Sequence, residues 1–350
     1  MKITTVGIDI AKSVFHIVAV NKMGALVKKK QLKRKELLTF IAQLEPCRIV
    51  MEACGGAHHW ARAFQKLGHE VKLIAPQYVK PYVKGNKNDY NDAEAITEAA
   101  QRPTMRFVPI KTQEQQDIQA LHRLRERTVK ERTALANQIR GLLAEYGIVI
   151  RLGITAVRKA LPEILEDGEN GLTPRGRACF VQLRDELVEI DATCQRYEHD
   201  SHRIDFMRGG EQIVQVNQEY EVCRRLDEVI GIGPITATAT YAAAGSAREF
   251  RNGRHFSAWL GLVPKQHSSG GKDTLLGISK RGNAYLRTLF IHGARAVLRY
   301  AATKQDRFSR WANALHARRG HNRACVAVAN KLARIAWVIL AKGESYRPAV

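Results

Sequence analysis

Short apolar runs punctuate the first hundred residues. Thr4-Thr5-Val6-Gly7-Ile8-Asp9-Ile10 and Val14-Phe15-His16-Ile17-Val18-Ala19-Val20 are rich in β-branched residues and predict two strands. Asn21-Lys22-Met23-Gly24 supplies a turn, and Ala25 to Leu32 reads as a third strand. Leu37, Phe40, Ile41 and Leu44 recur at helical spacing over Glu36 to Leu44. After Pro46, Arg48-Ile49-Val50-Met51 predicts a strand that ends at Glu52. A helix from His59 to Leu67 is stopped by Gly68, and a strand from Glu70 to Ala75 is stopped by Pro76. Three strands, then helix, strand, helix and strand, is the order of a mixed α/β sheet.

From about Lys111 the period changes. Ile118, Leu121, Leu124, Thr128, Leu135, Ile139, Leu142 and Tyr146 recur at three, four or seven residues, which describes one long amphipathic helix. Thr155 to about Tyr220 is polar and mostly helical, with breaks expected near Pro162, Gly168–Gly171 and Gly209-Gly210. This middle reads as a helical connector or coiled-coil arm whose partner helix the sequence leaves open. The resulting division is 1–110, 111–220 and 221–350.

Composition narrows the function. Lys and Arg number 56 against 34 Asp and Glu, a formal charge of +22 with a pI near 10.0. Such a surplus calls for a polyanion, with nucleic acid first and an anionic membrane face second. From Gly245 onward twenty basic residues face four acidic ones (Glu249, Asp273, Asp306, Glu344), so most of the surplus lies in the last third. No uninterrupted run of about 18 apolar residues exists, which argues against a membrane span. Met1 to Thr5 leads straight into the first predicted strand, which leaves no room for a signal peptide. Cys47, Cys54, Cys179, Cys194, Cys223 and Cys325 are scattered with no C-x-x-C spacing, unlike a zinc ribbon or disulfide framework. They fit a reducing cytoplasm.

Four acids stand out. Asp9 is the sole charge in an apolar strand, where a lone acid is costly unless a cation pairs with it. Glu52 closes the run Ile49-Val50-Met51 ahead of the small turn Ala53-Cys54-Gly55-Gly56. Asp89 and Asp92 sit three apart at a predicted helix start, on one face, where N-capping is the competing role. Oxygen ligands from two strand ends and a helix suit Mg²⁺ or Mn²⁺. Two such ions about 4 Å apart can clamp the attacking and leaving oxygens of a phosphodiester.

The tail carries its own motifs. Gly231 and Gly233, in Val229-Ile230-Gly231-Ile232-Gly233-Pro234, are spaced as in a helix–hairpin–helix, whose backbone N–H groups approach phosphate. Gly261-Leu262-Val263-Pro264-Lys265 leads to Ser268-Ser269-Gly270-Gly271-Lys272, a glycine-flanked loop whose Ser269 hydroxyl could reach a phosphate. Ile278-Ser279-Lys280-Arg281-Gly282-Asn283 follows. Then comes a predicted helix, Asn283 to Tyr300, with Leu286, Leu289, Phe290, Gly293 and Val297 as its apolar face. Lys265, Lys272, Lys280, Arg281, Arg287, Arg295 and Arg299 are the candidate nucleic-acid contacts, the last two one helical turn apart.

Taken in order, Gly7-Ile8-Asp9-Ile10-Ala11-Lys12, Met51-Glu52-Ala53, Lys87-Asn88-Asp89-Tyr90-Asn91-Asp92-Ala93 and the block from Gly261 to Gly270 resemble one family. They are similar to the DEDD transposases of bacterial insertion sequences, insertion-sequence family one-hundred-and-ten, eleven-eleven subgroup. The resemblance implies an RNase-H-like, Holliday-junction-resolvase-type (RuvC-like) α/β domain at the N-terminus, with Asp9, Glu52, Asp89 and Asp92 as a metal-binding tetrad. It implies a mostly α C-terminal transposase domain in which Ser269 attacks DNA and forms a phosphoserine intermediate. Ser268 beside Ser269 departs from the pattern, and the glycine after Ser269 favours the latter. Homo-oligomeric action and target choice through a structured non-coding guide RNA are implied as well, the acids of one subunit meeting the serine of another.

Three rivals remain at this stage. In a metal-dependent junction nuclease water attacks and Ser269 only contacts phosphate. In a non-catalytic nucleic-acid-binding protein the acids merely structure the fold. A sugar-kinase-like ATPase also opens Gly-x-Asp, but the chain has no glycine-rich nucleotide loop of that type and the basic tail would go unexplained.

Overall fold

The computed structural model describes residues 2–85, 88–198 and 213–347. Lys87 and the break expected at Gly209-Gly210 lie outside the described residues. The chain divides into two compact units, Met1–Gln115 with Ala244–Arg251, and Gln116–Ala243 with Asn252–Val350. The stretches expected as a separate connector and tail domain thus fall largely in one unit.

The first unit begins with β1 (Thr5–Ile10), β2 (Val14–Val20), β3 (Leu26–Lys33) and α1 (Arg34–Ala42). Next come β4 (Arg48–Glu52), α2 (Ala57–Lys66), β5 (Glu70–Ile74), α3 (Pro76–Val79), a 3₁₀ turn, α4 (Asp89–Ala100) and β6 (Phe107–Val108). The sheet order is β3-β2-β1-β4-β5-β6. β4 runs parallel to β1 and β5, whereas β2, β3 and β6 are antiparallel to their neighbours.

Alternation along β1 separates the two faces. Val6 and Ile8 join Phe15, Ile17, Ile49, Met51 and Leu73 under α1 and α2, against Leu37, Ile41, Trp60 and Phe64. The opposite face receives α4, with Val50 and Ile74 packed on Ala95, Ile96 and Ala99, and Val18 and Val20 on Ala93. β3 forms one edge of the sheet, and its exposed Lys28, Lys29 and Lys30 are charges that discourage pairing with another sheet.

In the second unit α5 (Gln113–Ala144), which starts within the first, is followed by α6 (Ile154–Glu166) and α7 (Pro174–Glu198). These are the partner helices the sequence left open: Leu135, Ile139 and Leu143 of α5 pack on Val157 and Leu161 of α6 and Phe180 and Leu187 of α7. Two expectations change here. Pro162 lies inside α6 rather than breaking it, and the break comes at the glycine-rich turn after Glu166. Leu124, Leu142 and Tyr146, assigned to the apolar stripe, are 44%, 43% and 44% exposed, and Leu143 takes the buried place.

The rest is α8 (Ile213–Glu219), α9 (Glu221–Asp227), α10 (Pro234–Ala244) and α11 (Gly253–Trp259), then a hairpin of β7 (Pro264–Ser269) and β8 (Lys272–Ile278). α12 (Ala284–Ala301), α13 (Arg307–Arg319) and α14 (His321–Lys342) complete it. α14 is long and apolar enough by length and composition to cross a membrane, although Arg323, Lys331 and Arg334 interrupt it. Its buried face, Ala324, Val328, Ala329, Leu332, Ala336 and Ile339, packs against α11, α12 and α13 as a core helix does.

Candidate functional site

Asp9 lies on the α4 face of β1, half-buried, directly opposite His16 of β2. Gly7, two residues earlier on the same face, sets how near α4 can come. A Cβ there would stand 2.0 Å from Thr97 Oγ1 and 2.7 Å from the Ala93 carbonyl oxygen, so only glycine lets the helix lie this close. Gly7→Ala is expected to cost about 1–3 kcal/mol, the range for overpacking a well-filled core, read as a lower midpoint of urea unfolding.

α4 starts at Asp89, and the cap role is taken by Asn88, whose side chain accepts from Tyr90 N at 2.9 Å. Asp89 and Asp92 are thereby released from capping and occupy the first turn. Carboxylate oxygens of Asp9, Asp89 and Asp92 all lie within 4.8 Å of one another. Glu52, at the end of β4, is outside that trio but within electrostatic reach of it. Burial raises its carboxyl pKa above the ordinary value, and the charges of Asp9 and Asp92 raise it further. Asp9 is raised likewise, by burial first, then by Asp92 and Asp89, with His16 acting in the opposite sense.

Crowded carboxylates, two of them (Asp9 and Glu52) with raised proton affinity, and only oxygen donors, match a hard divalent cation. Three of the four acids expected from the sequence therefore come together, and Glu52 feels the charge of two of them. Cys54, in the turn after β4, also feels Glu52 and Asp9, which together with burial push its thiol up.

The second unit carries the other candidates. Ser269 is not in a loop. It is the last residue of β7, paired across the hairpin with Lys272, and the Gly270-Gly271 turn follows. β7 is polar throughout, and the apolar Leu275 and Leu276 of β8 are adjacent and exposed rather than alternating, which is why the sequence read as a loop. The two serines differ. Gln266 Nε2 donates to Ser268 Oγ at 2.8 Å and to Asp273 Oδ1 at 3.3 Å, and strand alternation turns Ser269 to the other face.

Lys265, Lys272, Lys280 and Arg281 are exposed, as are Arg295 and Arg299 on α12. Arg287 is committed to the fold instead. Its Nη1 donates to the carbonyls of Leu260 (2.9 Å) and Arg281 (3.0 Å), tying the loop before the hairpin to the one after it. Gly231 likewise has a packing role. A Cβ on Gly293 of α12 would come within 1.9 Å of the Gly231 carbonyl oxygen, so this pair of glycines brings turn and helix into contact. Gly233 is exposed, and its carbonyl accepts from Thr236 and Ala237 at the start of α10.

Sequence reasoning passed over His16 as a site residue. Its signal was present, because pairing Thr5 with Val20 in the first hairpin puts Asp9 opposite His16.

Family models agree with this chain at both ends. One described as "Transposase", of the DEDD type of IS110, matches residues 6–148, and "Transposase IS116/IS110/IS902 family" matches residues 223–309. A Pseudomonas aeruginosa protein described as "Probable family 20 transposase" is 49% identical over 99% of this chain and 100% of its own length. The "Transposase for insertion sequence element IS1111A" of Coxiella burnetii is 48% identical over 99% of this chain and 92% of its own. That for IS1328 of Yersinia enterocolitica is 40% identical, covering 98% of each. Identity sustained along nearly the whole chain places it in one group with these proteins: it belongs to the IS110/IS1111 family of insertion-sequence transposases, which act on DNA.

Proposed function

We propose that this transposase cuts and rejoins DNA strands through a phosphoserine intermediate, with Asp9, Glu52, Asp89 and Asp92 holding Mg²⁺ or Mn²⁺. The convergence of Asp9, Asp89 and Asp92 within 4.8 Å carries this reading. The order β3-β2-β1-β4-β5, with β2 antiparallel to β1, supports the RNase-H-like assignment of the first unit. When bound, divalent cations supply Lewis-acid stabilisation of the charge that develops on phosphate oxygens.

The chain's residues do the rest. Ser269 Oγ bonds to phosphorus as its proton passes to solvent or a nearby base, and one bridging P–O bond breaks, its oxygen leaving as a hydroxyl after taking a proton from solvent. The phosphoserine ester conserves the bond energy, so a second hydroxyl can reverse the exchange and join new strands. Exposed Lys272 beside Ser269, with Lys265, Lys280, Arg281, Arg295 and Arg299, supplies positive charge for the phosphate backbone. The charge surplus of the last third also accommodates a second polyanion, the guide RNA, and the protein works as a homo-oligomer in which acids and serine come from different subunits.

Purified protein incubated with DNA ends of its element and Mg²⁺ is expected to form a covalent protein–DNA adduct that EDTA prevents. Sequencing of the copurifying nucleic acid is expected to return a structured RNA transcribed from the same element. An adduct that forms equally in EDTA would remove the metal role. Nuclease-treated protein of full activity would remove the RNA.

A further inference from the structure

The acidic cluster has a neighbour that nothing above uses. His16 stands on β2 in register with Asp9, and its Nδ1 lies 3.5 Å from Asp89 Oδ2. The side chain is only 11% exposed, and among the described residues Nδ1 is buried without a hydrogen-bond partner. Tyr90, next to Asp89 on α4, meets the imidazole edge to face with ring centroids 4.8 Å apart and 78° between planes. The imidazole is therefore held by the strand on one side and by a ring on the other, with an unused nitrogen directed at one carboxylate of the trio.

We propose that His16 is a positioning residue of this centre, its Nδ1–H serving as the donor that orients the Asp89 carboxylate toward a shared divalent cation. The proposal rests on the acids being metal ligands. Its physical basis is general: a carboxylate ligand presents one oxygen to the metal best when a donor holds the other. An isolated carboxylate on the first turn of a helix has free rotation about its side-chain bonds, and Asp89 is the most exposed of the trio, at 58%. A buried N–H with no other acceptor among the described residues gives it a fixed direction at no cost in ordering a mobile partner.

The test is Mn²⁺ affinity of the full-length protein without DNA, read by electron paramagnetic resonance of free Mn²⁺, in His16→Leu, His16→Asn and Tyr90→Leu. His16→Leu keeps the bulk and removes the donor, and is expected to weaken Mn²⁺ binding ~10–100-fold, the range for an outer-shell partner. His16→Asn places an amide N–H near the Nδ1 position and is expected to restore most of the affinity. Tyr90→Leu keeps the donor and is expected to lose less than His16→Leu. The unfolding midpoint of each metal-free variant separates loss of fold from loss of orientation. His16→Leu binding Mn²⁺ as tightly as the unchanged protein, or His16→Asn binding as weakly as His16→Leu, overturns the proposal. Unchanged protein that binds no Mn²⁺ overturns the metal reading of the acids, and the role of His16 with it.

Discussion

Ser269→Ala is expected to abolish the covalent protein–DNA adduct and to lower strand cleavage by ~10⁴-fold or more, the usual scale for deleting a nucleophile. The geometry makes this a clean substitution. Ser269 is exposed at the end of β7, so removing its hydroxyl leaves no cavity and no broken core contact. Ser268→Ala is the built-in control. That hydroxyl accepts from Gln266 on the other face of the hairpin, and its loss is expected to leave the adduct in place. Denaturing gel electrophoresis of labelled DNA distinguishes the outcomes. Mg²⁺-dependent cleavage at full rate by Ser269→Ala would sink the phosphoserine route and leave a nuclease in which water attacks.

Asp9→Asn is expected to move activity and stability in opposite directions. Cleavage should fall by more than the ~10–100-fold typical of an outer-shell partner, because the proposed role of Asp9 is that of a direct ligand. The metal-free fold, however, should become more stable at neutral pH. Burial, Asp92 and Asp89 raise the Asp9 pKa above its ordinary 3.8, so the folded chain holds that proton more tightly than the unfolded chain. The cost is absent well below pH 3.8, grows as pH rises through the raised value, and is complete above it. Removing the charge removes the cost. Thermal unfolding across pH 2 to 8 checks this: the variant should melt higher than the parent near neutrality and gain nothing at the acid end, well below pH 3.8. Mg²⁺ should stabilise the parent and not the variant. A variant less stable than the parent at every pH would show that Asp9 serves the fold rather than a cation.

Much of the first unit was legible because its strands are short, apolar and bounded by turn residues, as in Val14 to Val20 and Arg48 to Glu52. Asp9 and Glu52 were legible for a related reason, since a charge is conspicuous at the end of a buried strand, whereas Asp89 and Asp92 were legible from their spacing at a helix start. What escaped was whatever periodicity does not encode. β6 is two residues long and exists only because β5 offers an edge. Pro162 is tolerated inside α6, against its propensity, while the helix buries Val157 and Leu161. The β7–β8 hairpin has no buried face, so its register comes from the Gly270-Gly271 turn and from cross-strand pairing. The structural commitments of Arg287 and Gly231 depend on partners 27 and 62 positions away, which no local pattern reveals.

The first unit is discontinuous, since Ala244–Arg251 belongs to it together with the first 115 residues. A ribosome that has released all four acids has therefore not yet released the whole unit around them, and must still deliver more than a hundred residues. Shortened products ending before position 244 would carry the complete acid set on an unfinished scaffold. Delivery of Arg251 thus sets the earliest point in synthesis at which the acid-bearing unit has all of its residues.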